Sequence, residues 1–201
     1  MVAIIDYGMG NIASVQKALN FLNIKNIVTN DQNIIKSSSA ILLPGVGSFA
    51  QGMLNLKELN LVDLLTEEVV IKQKPFFGIC LGMQLIMEFG NEPHKCVGLG
   101  WIKGEVKKLE LVNLKIPHMG WNEIEIRNNK YFNTINSRDF YFIHSFYADV
   151  ENYENIAATV NYGFDVTACI QKNRIFATQF HPEKSQDAGL AVIKNFFDLN
   201  A

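Results

Sequence analysis

The sequence predicts an α/β fold: a mixed, mainly parallel central sheet with helices on both faces, followed by an antiparallel-rich second half. Three observations predict it. Strand and helix patterns alternate through the first ninety or so residues, as a parallel sheet with crossover helices requires. A buried strand runs directly into a helix at Gly78-Ile79-Cys80-Leu81-Gly82. Beyond that point extended stretches dominate, with one helix at the end.

The elements follow in order. Val2–Asp6 is a short apolar strand. Ile12, Val15, Leu19 and Leu22 recur at helical spacing, which makes Asn11–Leu22 an amphipathic helix. Ile27–Thr29 and Ala40–Leu43 read as strands. Leu54–Ile71 is helical by pattern, in two pieces around Asn60. Lys74–Ile79 is a buried strand and Gly82–Glu88 the helix after it. Val97–Leu109, Phe140–Val150, Ile156–Val160, Val166–Gln171 and Arg174–Thr178 read as extended, with a hairpin turn at Lys172-Asn173. The last helix starts near Lys184 and places Leu190, Ile193 and Phe197 on one face.

Composition narrows the function. The chain has 201 residues, 48% hydrophobic and 19% charged, which suits one folded domain over 1–201. Its 18 basic and 20 acidic residues give a net charge near −2, with no footprint for nucleic acid. The longest nearly apolar run, Phe76–Met87, is shorter than the roughly 20 residues that cross a bilayer. The first residues lack the basic flank of a signal peptide. Three cysteines without a CxxC pair argue against a disulfide framework or a zinc ribbon. The expectation is a cytoplasmic protein with no membrane contact. A chain this short is also small for an enzyme that both binds and elaborates a complex substrate.

Cys80 is the nucleophile candidate. In the related G-x-S-x-G turn, the nucleophile sits on a strained bend with its side chain exposed above the sheet. Small neighbours are needed because the bend crowds the backbone. A helix N-terminus favours the thiolate, and the N–H of Leu81 supplies half an oxyanion hole. The competing reading is a buried structural cysteine between two packing glycines. Cys96 and Cys169 have no such setting and read as packing residues.

A thiol nucleophile needs a base. His181 follows a strand, and in an extended segment Glu183 points to the same side. The carboxylate would fix the imidazole's tautomer. Read alone, His-Pro-Glu is a surface turn and helix cap. Beside the cysteine elbow it becomes a base and its orienter. No HExxH, HxH or Cys/His cluster is present, so no metal site is expected. A second loop, Pro44-Gly45-Val46-Gly47-Ser48, is free enough of side chains to approach a ligand or change conformation. It is the candidate second oxyanion donor; geometry alone would make it a tight strand-to-helix turn. Gly8-Met9-Gly10-Asn11-Ile12-Ala13, with Asp31 about twenty residues on, matches the dinucleotide fingerprint. Asp6 and Tyr7 intrude before its first glycine, and Asp31 sits in a polar turn cluster, so cofactor binding is set aside.

Together these segments resemble the class I glutamine amidotransferases. Gly78-Ile-Cys-Leu-Gly-Met-Gln84 and Phe180-His-Pro-Glu183 are similar to that class's nucleophile and His/Glu motifs. Asp6-Tyr-Gly-Met-Gly-Asn11, Pro44-Gly-Val-Gly-Ser-Phe49, Pro117-His-Met-Gly-Trp-Asn122 and His181-Pro-Glu-Lys-Ser185 resemble the branch formed by the glutaminase subunits of imidazole glycerol phosphate synthases. They occur in that order along nearly the whole chain.

The resemblance implies a flavodoxin-like sheet and no cofactor. It implies that Cys80 attacks the amide of L-glutamine, with His181 and Glu183 completing a triad. It places Leu81, Val46 and Gly47 in the oxyanion hole. It places Gly47, Gln84, Glu92, Ser145 and Phe146 in the glutamine pocket, the His144–Phe146 backbone included. It implies a (β/α)8-barrel cyclase partner that activates the Gly45–Gly47 loop and receives ammonia, with Asn11, Trp121, Tyr141 and Lys184 near that partner. The missing mass is then another chain. Free ammonia in neutral water is mostly protonated and no longer nucleophilic, so a glutaminase serving synthesis has reason to be gated.

Two departures stand out. Phe146 occupies a position where the family often has tyrosine. Gly98-Leu-Gly-Trp101 is closer to a paralogous branch thought to supply ammonia for amidino groups on surface sugars, which leaves that acceptor as the alternative. A non-catalytic binding subunit on the same fold is the alternative from another class.

Overall fold

A computed structural model describes residues 1–200. In chain order the elements are β1 (Val2–Ile5), α1 (Ile12–Phe21), β2 (Asn26–Thr29), α2 (Gln32–Ser37), β3 (Ala40–Gly45), α3 (Phe49–Glu58) and α4 (Val62–Thr66). Then come β4 (Phe76–Cys80), α5 (Leu81–Leu85), β5 (Met87–Asn91), β6 (Lys95–Val97), β7 (Ile102–Lys108), β8 (His118–Ile126) and β9 (Asp139–His144). The chain closes with β10 (Phe146–Val150), β11 (Ile156–Asn161), β12 (Asp165–Lys172), β13 (Ile175–Thr178) and α6 (Gln186–Asp198).

The apolar strands of the first half are buried on both faces, and the alternation of side chains divides them between two cores. Val2 and Ile4 of β1, Leu42 of β3 and Phe77 and Ile79 of β4 pack with α1 and α6. Ala3, Ile5, Ile41, Leu43 and Phe76 point the other way, onto α3, α4 and α5. Phe77 anchors the first core, with its ring 5.1 Å from those of both Phe176 and Phe196.

These strands sit in a nine-stranded sheet ordered β2-β1-β3-β4-β13-β12-β11-β8-β9. Pairing is parallel from β2 to β13 and antiparallel from β13 to β9. The expected α/β architecture is present, and its two halves meet at β13. A second sheet, β10-β7-β5-β6, covers the α3 side and shares its core through Met87, Ile102, Val106 and Ala148. No helix among the described residues is long and apolar enough to cross a membrane.

Several boundaries differ from the sequence reading. The helical stretch expected from Leu54 begins at Phe49, and Asn60, at φ 55°, breaks it as anticipated. Helix α5 ends at Leu85 rather than Glu88, and Met87 opens a strand. Val97–Leu109 splits into the end of β6 and β7. Phe140–Val150 is two strands in two different sheets, changing over at Ser145. The hairpin at Lys172-Asn173 is present, with Asn173 at φ 53°. Strand β8 and helix α2 were not anticipated as elements. In α2, the Asp31 carboxylate accepts from the N–H groups of Asn33 and Ile34 at 2.8 and 3.1 Å. It is an N-cap, so the carboxylate that a dinucleotide ribose would need is already engaged.

Candidate active site

Cys80 ends β4 and immediately precedes α5, with φ 53° and ψ −106°. No non-glycine residue adopts this backbone freely, and such strain costs about 1–3 kcal/mol. The glycines around it are dictated by contact. A Cβ on Gly82 would stand 1.9 Å from the Leu43 carbonyl oxygen, and one on Gly78 2.9 Å from the Gly82 carbonyl oxygen. Both clashes are with backbone inside the sheet core, where neither partner can yield. Gly82→Ala should therefore lower stability by at least ~2–3 kcal/mol, or roughly 5–10 °C in melting temperature. Thermal melting by circular dichroism checks this; an unchanged midpoint would show that the elbow tolerates a side chain.

The Cys80 Sγ lies 3.9 Å from the Ile143 carbonyl oxygen and 3.7 Å from Gln179 Nε2, which donates to it. Gln179 in turn accepts from Gln84 Nε2 at 3.1 Å, and the same Gln84 nitrogen donates to the Phe146 carbonyl at 3.0 Å. Gln179 was missed by sequence reasoning. Only its place beside the Phe180-His181 segment could have suggested it.

His181 and Glu183 meet as expected: Nδ1 lies 2.7 Å from the carboxylate Oε1. The path differs from the extended one anticipated. Pro182–Lys184 is a single 3-10 turn with His181 at its N-cap, and that turn folds the carboxylate back under the imidazole. Both side chains are buried, and among the described residues His181 Nε2 has no partner at full hydrogen-bond geometry, Cys80 being the group close enough to act on it. It is the ring nitrogen left for a reacting group. Burial pulls the His181 pKa down. Hydrogen bonding and the negative charges of Cys80 and Glu183 outweigh burial and raise it above the ordinary value.

A cleft of about 250 Å³ opens on Cys80. Its walls are Val46 and Gly47 from the loop after β3, Leu81 and Gln84 from α5, Glu92, and Ile143 to Phe146 from the changeover between β9 and β10. Every residue expected in the oxyanion hole and the glutamine pocket lines it; Ile143 is the addition. Gly47 needs its glycine for its backbone, at φ 108°; among the described residues the only close contact a Cβ would make is with the mobile end of Met9. Glu92 Oε2 accepts from the Phe49 N–H at 3.1 Å, which holds the carboxylate at the start of α3. Burial raises the Glu92 pKa against the lowering effect of that bond.

The residues expected to face a partner also gather. Trp121 of β8 is paired with Tyr141 of β9, their rings 6.1 Å apart and edge-on. Lys184 Nζ lies 5.8 Å from the Tyr141 ring. Asn11 is the N-cap of α1, which packs on the Pro182–Lys184 turn. Trp121 and Met119 stand exposed on the same side of β8. Among the described residues, no group of three or more His, Cys, Asp or Glu side chains could hold a metal ion.

Comparisons with known proteins point to one family. A Campylobacter jejuni protein named imidazole glycerol phosphate synthase subunit HisH 1 is 50% identical, covering 99% of this chain and 100% of its own. A Methanococcus maripaludis protein named as subunit HisH 2 of the same enzyme is 44% identical over 98% of each chain. A Bacillus cereus protein named as subunit HisH is 46% identical over 98% of this chain and 93% of its own. Among solved structures, one described as a glutamine amidotransferase superposes with a TM-score of 0.78 at 18% identity, covering 100% of this chain and 99% of the other. PurLQS from Thermotoga maritima reaches 0.70 at 15% identity, over 98% and 97%. At those identities the structures speak for the fold alone. The family described as glutamine amidotransferase class-I matches residues 3–199, a span that holds the strained cysteine with its cleft and the buried His–Glu pair: the chain belongs to the class I glutamine amidotransferase family.

Proposed function

We propose that this chain is the glutaminase subunit of an imidazole glycerol phosphate synthase, acting in the cytoplasm as one domain over 1–201. Its reading as one unit is supported by a core cluster that both sheets share. The observation that carries the chemistry is the cleft, which gathers Cys80, the loop after β3 and the changeover wall within about 250 Å³.

L-Glutamine enters with its carboxamide against Cys80. Glu92 receives the α-ammonium group. Gln84 has both amide hydrogens committed to Phe146 and Gln179, so its Oε1 is left for the substrate. The Cys80 sulfur attacks the amide carbon. The oxyanion forms against the N–H of Leu81 and a donor from the Val46–Gly47 loop; one such donor is typically worth about 10²–10³ in rate. His181, protonated at Nε2 and held by Glu183 at Nδ1, gives its proton to the leaving nitrogen, and ammonia departs from a glutamyl thioester. Neutral His181 then takes a proton from water. The resulting hydroxide attacks the thioester, and glutamate leaves while Cys80 is restored.

The partner is a (β/α)8-barrel cyclase docked on the face formed by Trp121, Tyr141, Lys184 and Asn11. That face carries exposed aromatic and apolar surface where a lone chain would be expected to carry charge. Mixing the chain with a candidate barrel protein, glutamine and the ribonucleotide acceptor tests this. Glutamate release should rise strongly on adding both, and high turnover by the isolated chain would refute the gating. Trp121→Ala should weaken capture of the barrel by about 2 kcal/mol or more, a roughly 30-fold rise in Kd by titration calorimetry. An unchanged Kd would place the docking face elsewhere.

The segment that suggested an amidino-sugar acceptor is structural. Leu99 and Trp101 are buried, and the Trp101 indole N–H donates to Thr66 Oγ1 at 3.1 Å; neither side chain lines the cleft. Stimulation of glutamine hydrolysis by the ribonucleotide, compared with a sugar acceptor, decides between the two.

A further inference from the structure

The cleft wall at Phe146 is held by a device that the catalytic scheme does not use. His144 and His118 face each other across the β8–β9 pair, buried, with His118 Nδ1 2.9 Å from His144 Nε2. His144 Nδ1 lies 2.9 Å from the Phe146 carbonyl oxygen. The direction of this chain of bonds is forced. A carbonyl oxygen only accepts, so His144 carries its proton on Nδ1. A neutral imidazole can then only accept at Nε2. His118 must therefore donate from Nδ1, which leaves its buried Nε2 unprotonated and, among the described residues, without a partner at full hydrogen-bond geometry. The neutral state is supported by the surroundings: burial pulls the His144 pKa to about 3 against the pull of the Phe146 bond.

The Phe146 carbonyl thus accepts two bonds, one from His144 and one from Gln84. This is also where the chain leaves β8 for the second sheet, so pairing with β8 ends at His144 and cannot orient the wall beyond it. The His118 ring is clamped in turn, stacked 4.8 Å from Phe142 and 3.9 Å from Tyr162. A ring gripped on both faces can aim a single N–H in one direction.

We propose that His118 is a positioning residue for the glutamine pocket, acting through His144 to fix the Phe146 carbonyl and with it the Gln84 amide. This rests on the glutaminase reading above. It also ties the pocket to β8, the strand whose opposite side exposes Met119 and Trp121.

Two variants separate the hydrogen bond from the packing. His118→Phe keeps a ring between Phe142 and Tyr162 and removes the donor. His118→Asn keeps a donor near the place of Nδ1 and gives up the stacking. The readout is saturable, irreversible labelling of Cys80 by a glutamine-analogue diazoketone, which separates the half-saturating concentration from the maximal labelling rate. His118→Phe should raise the half-saturating concentration about tenfold, the effect of one buried hydrogen bond, and leave the maximal rate within about twofold. His118→Asn should restore the wild-type value to within about twofold. Nitrogen-15 NMR should find His144 neutral and protonated at Nδ1 in the wild type. Wild-type labelling constants in His118→Phe would overturn the proposal, as would equal impairment of both variants or an Nε2-protonated His144. If Cys80 of the wild type takes no label even with the barrel partner added, the glutaminase reading falls and this proposal with it.

Discussion

Cys80→Ala should abolish glutaminase turnover, by roughly 10⁴–10⁶-fold, while the protein stays folded. The loss is that large because no other group in the cleft can take the sulfur's place. Gln84 is an amide bonded to Gln179, Glu92 is held by the Phe49 N–H, His144 is bonded to the Phe146 carbonyl and to His118, and the Ser145 hydroxyl has no histidine or carboxylate bonded to it among the described residues. A second substitution makes the prediction sharper. Cys80 holds φ 53° and ψ −106°, and alanine would inherit that strain. Glycine would not. Cys80→Gly should therefore melt above Cys80→Ala by about 2–4 °C, the equivalent of ~1 kcal/mol in a chain of this size. Both lose the same sulfur contacts, so the difference isolates the backbone term. Wild-type turnover in Cys80→Ala would refute the nucleophile. A glycine variant that melts no higher than the alanine one would refute the strain.

That strain explains why the elbow was legible in the sequence. A cysteine forced into this backbone needs small neighbours on both sides, and Gly78 and Gly82 record the need in a form that spacing alone reveals. The parallel half was legible for a related reason. Strands buried on two faces read as unbroken apolar runs, and Asn60, with its positive φ, falls where the helical pattern stops. The changeover at Ser145 was not legible. Phe140, Phe142, His144, Phe146, Ala148 and Val150 alternate without a break, so one period covers two strands that belong to different sheets. Met87–Asn91 was hidden by proximity, because its first residues extend the spacing of a five-residue helix. The His118–His144 bond joins positions 26 residues apart in sequence. No local pattern encodes it; only the register of β8 on β9 does.

Glu183→Gln should reduce turnover by roughly 10²–10⁴-fold and shift its pH dependence, and the second effect distinguishes orientation from simple loss of a contact. Burial lowers the His181 pKa, but Cys80 and Glu183 more than reverse this and leave it raised, up to about 10. A raised histidine stays protonated through neutrality. Its interactions then stabilise the fold fully below the ordinary value near 6.5, and that contribution is lost as pH climbs from there toward 10. The same proton is the one delivered to departing ammonia. Glutamine removes one of the two negative partners while keeping the side chain's shape. The His181 pKa must fall, so the alkaline limb of turnover should move to lower pH. Melting temperature should also decline less steeply between about pH 7 and 10 than in the wild type, because less is left to lose. Glu183 keeps Oε1 on the imidazole while its buried Oε2 has no partner. A carboxylate retained in so dry a place at the expense of one unmet oxygen is there for the imidazolium it holds. An unshifted alkaline limb in Glu183→Gln, with turnover near that of the wild type, would remove Glu183 from the triad.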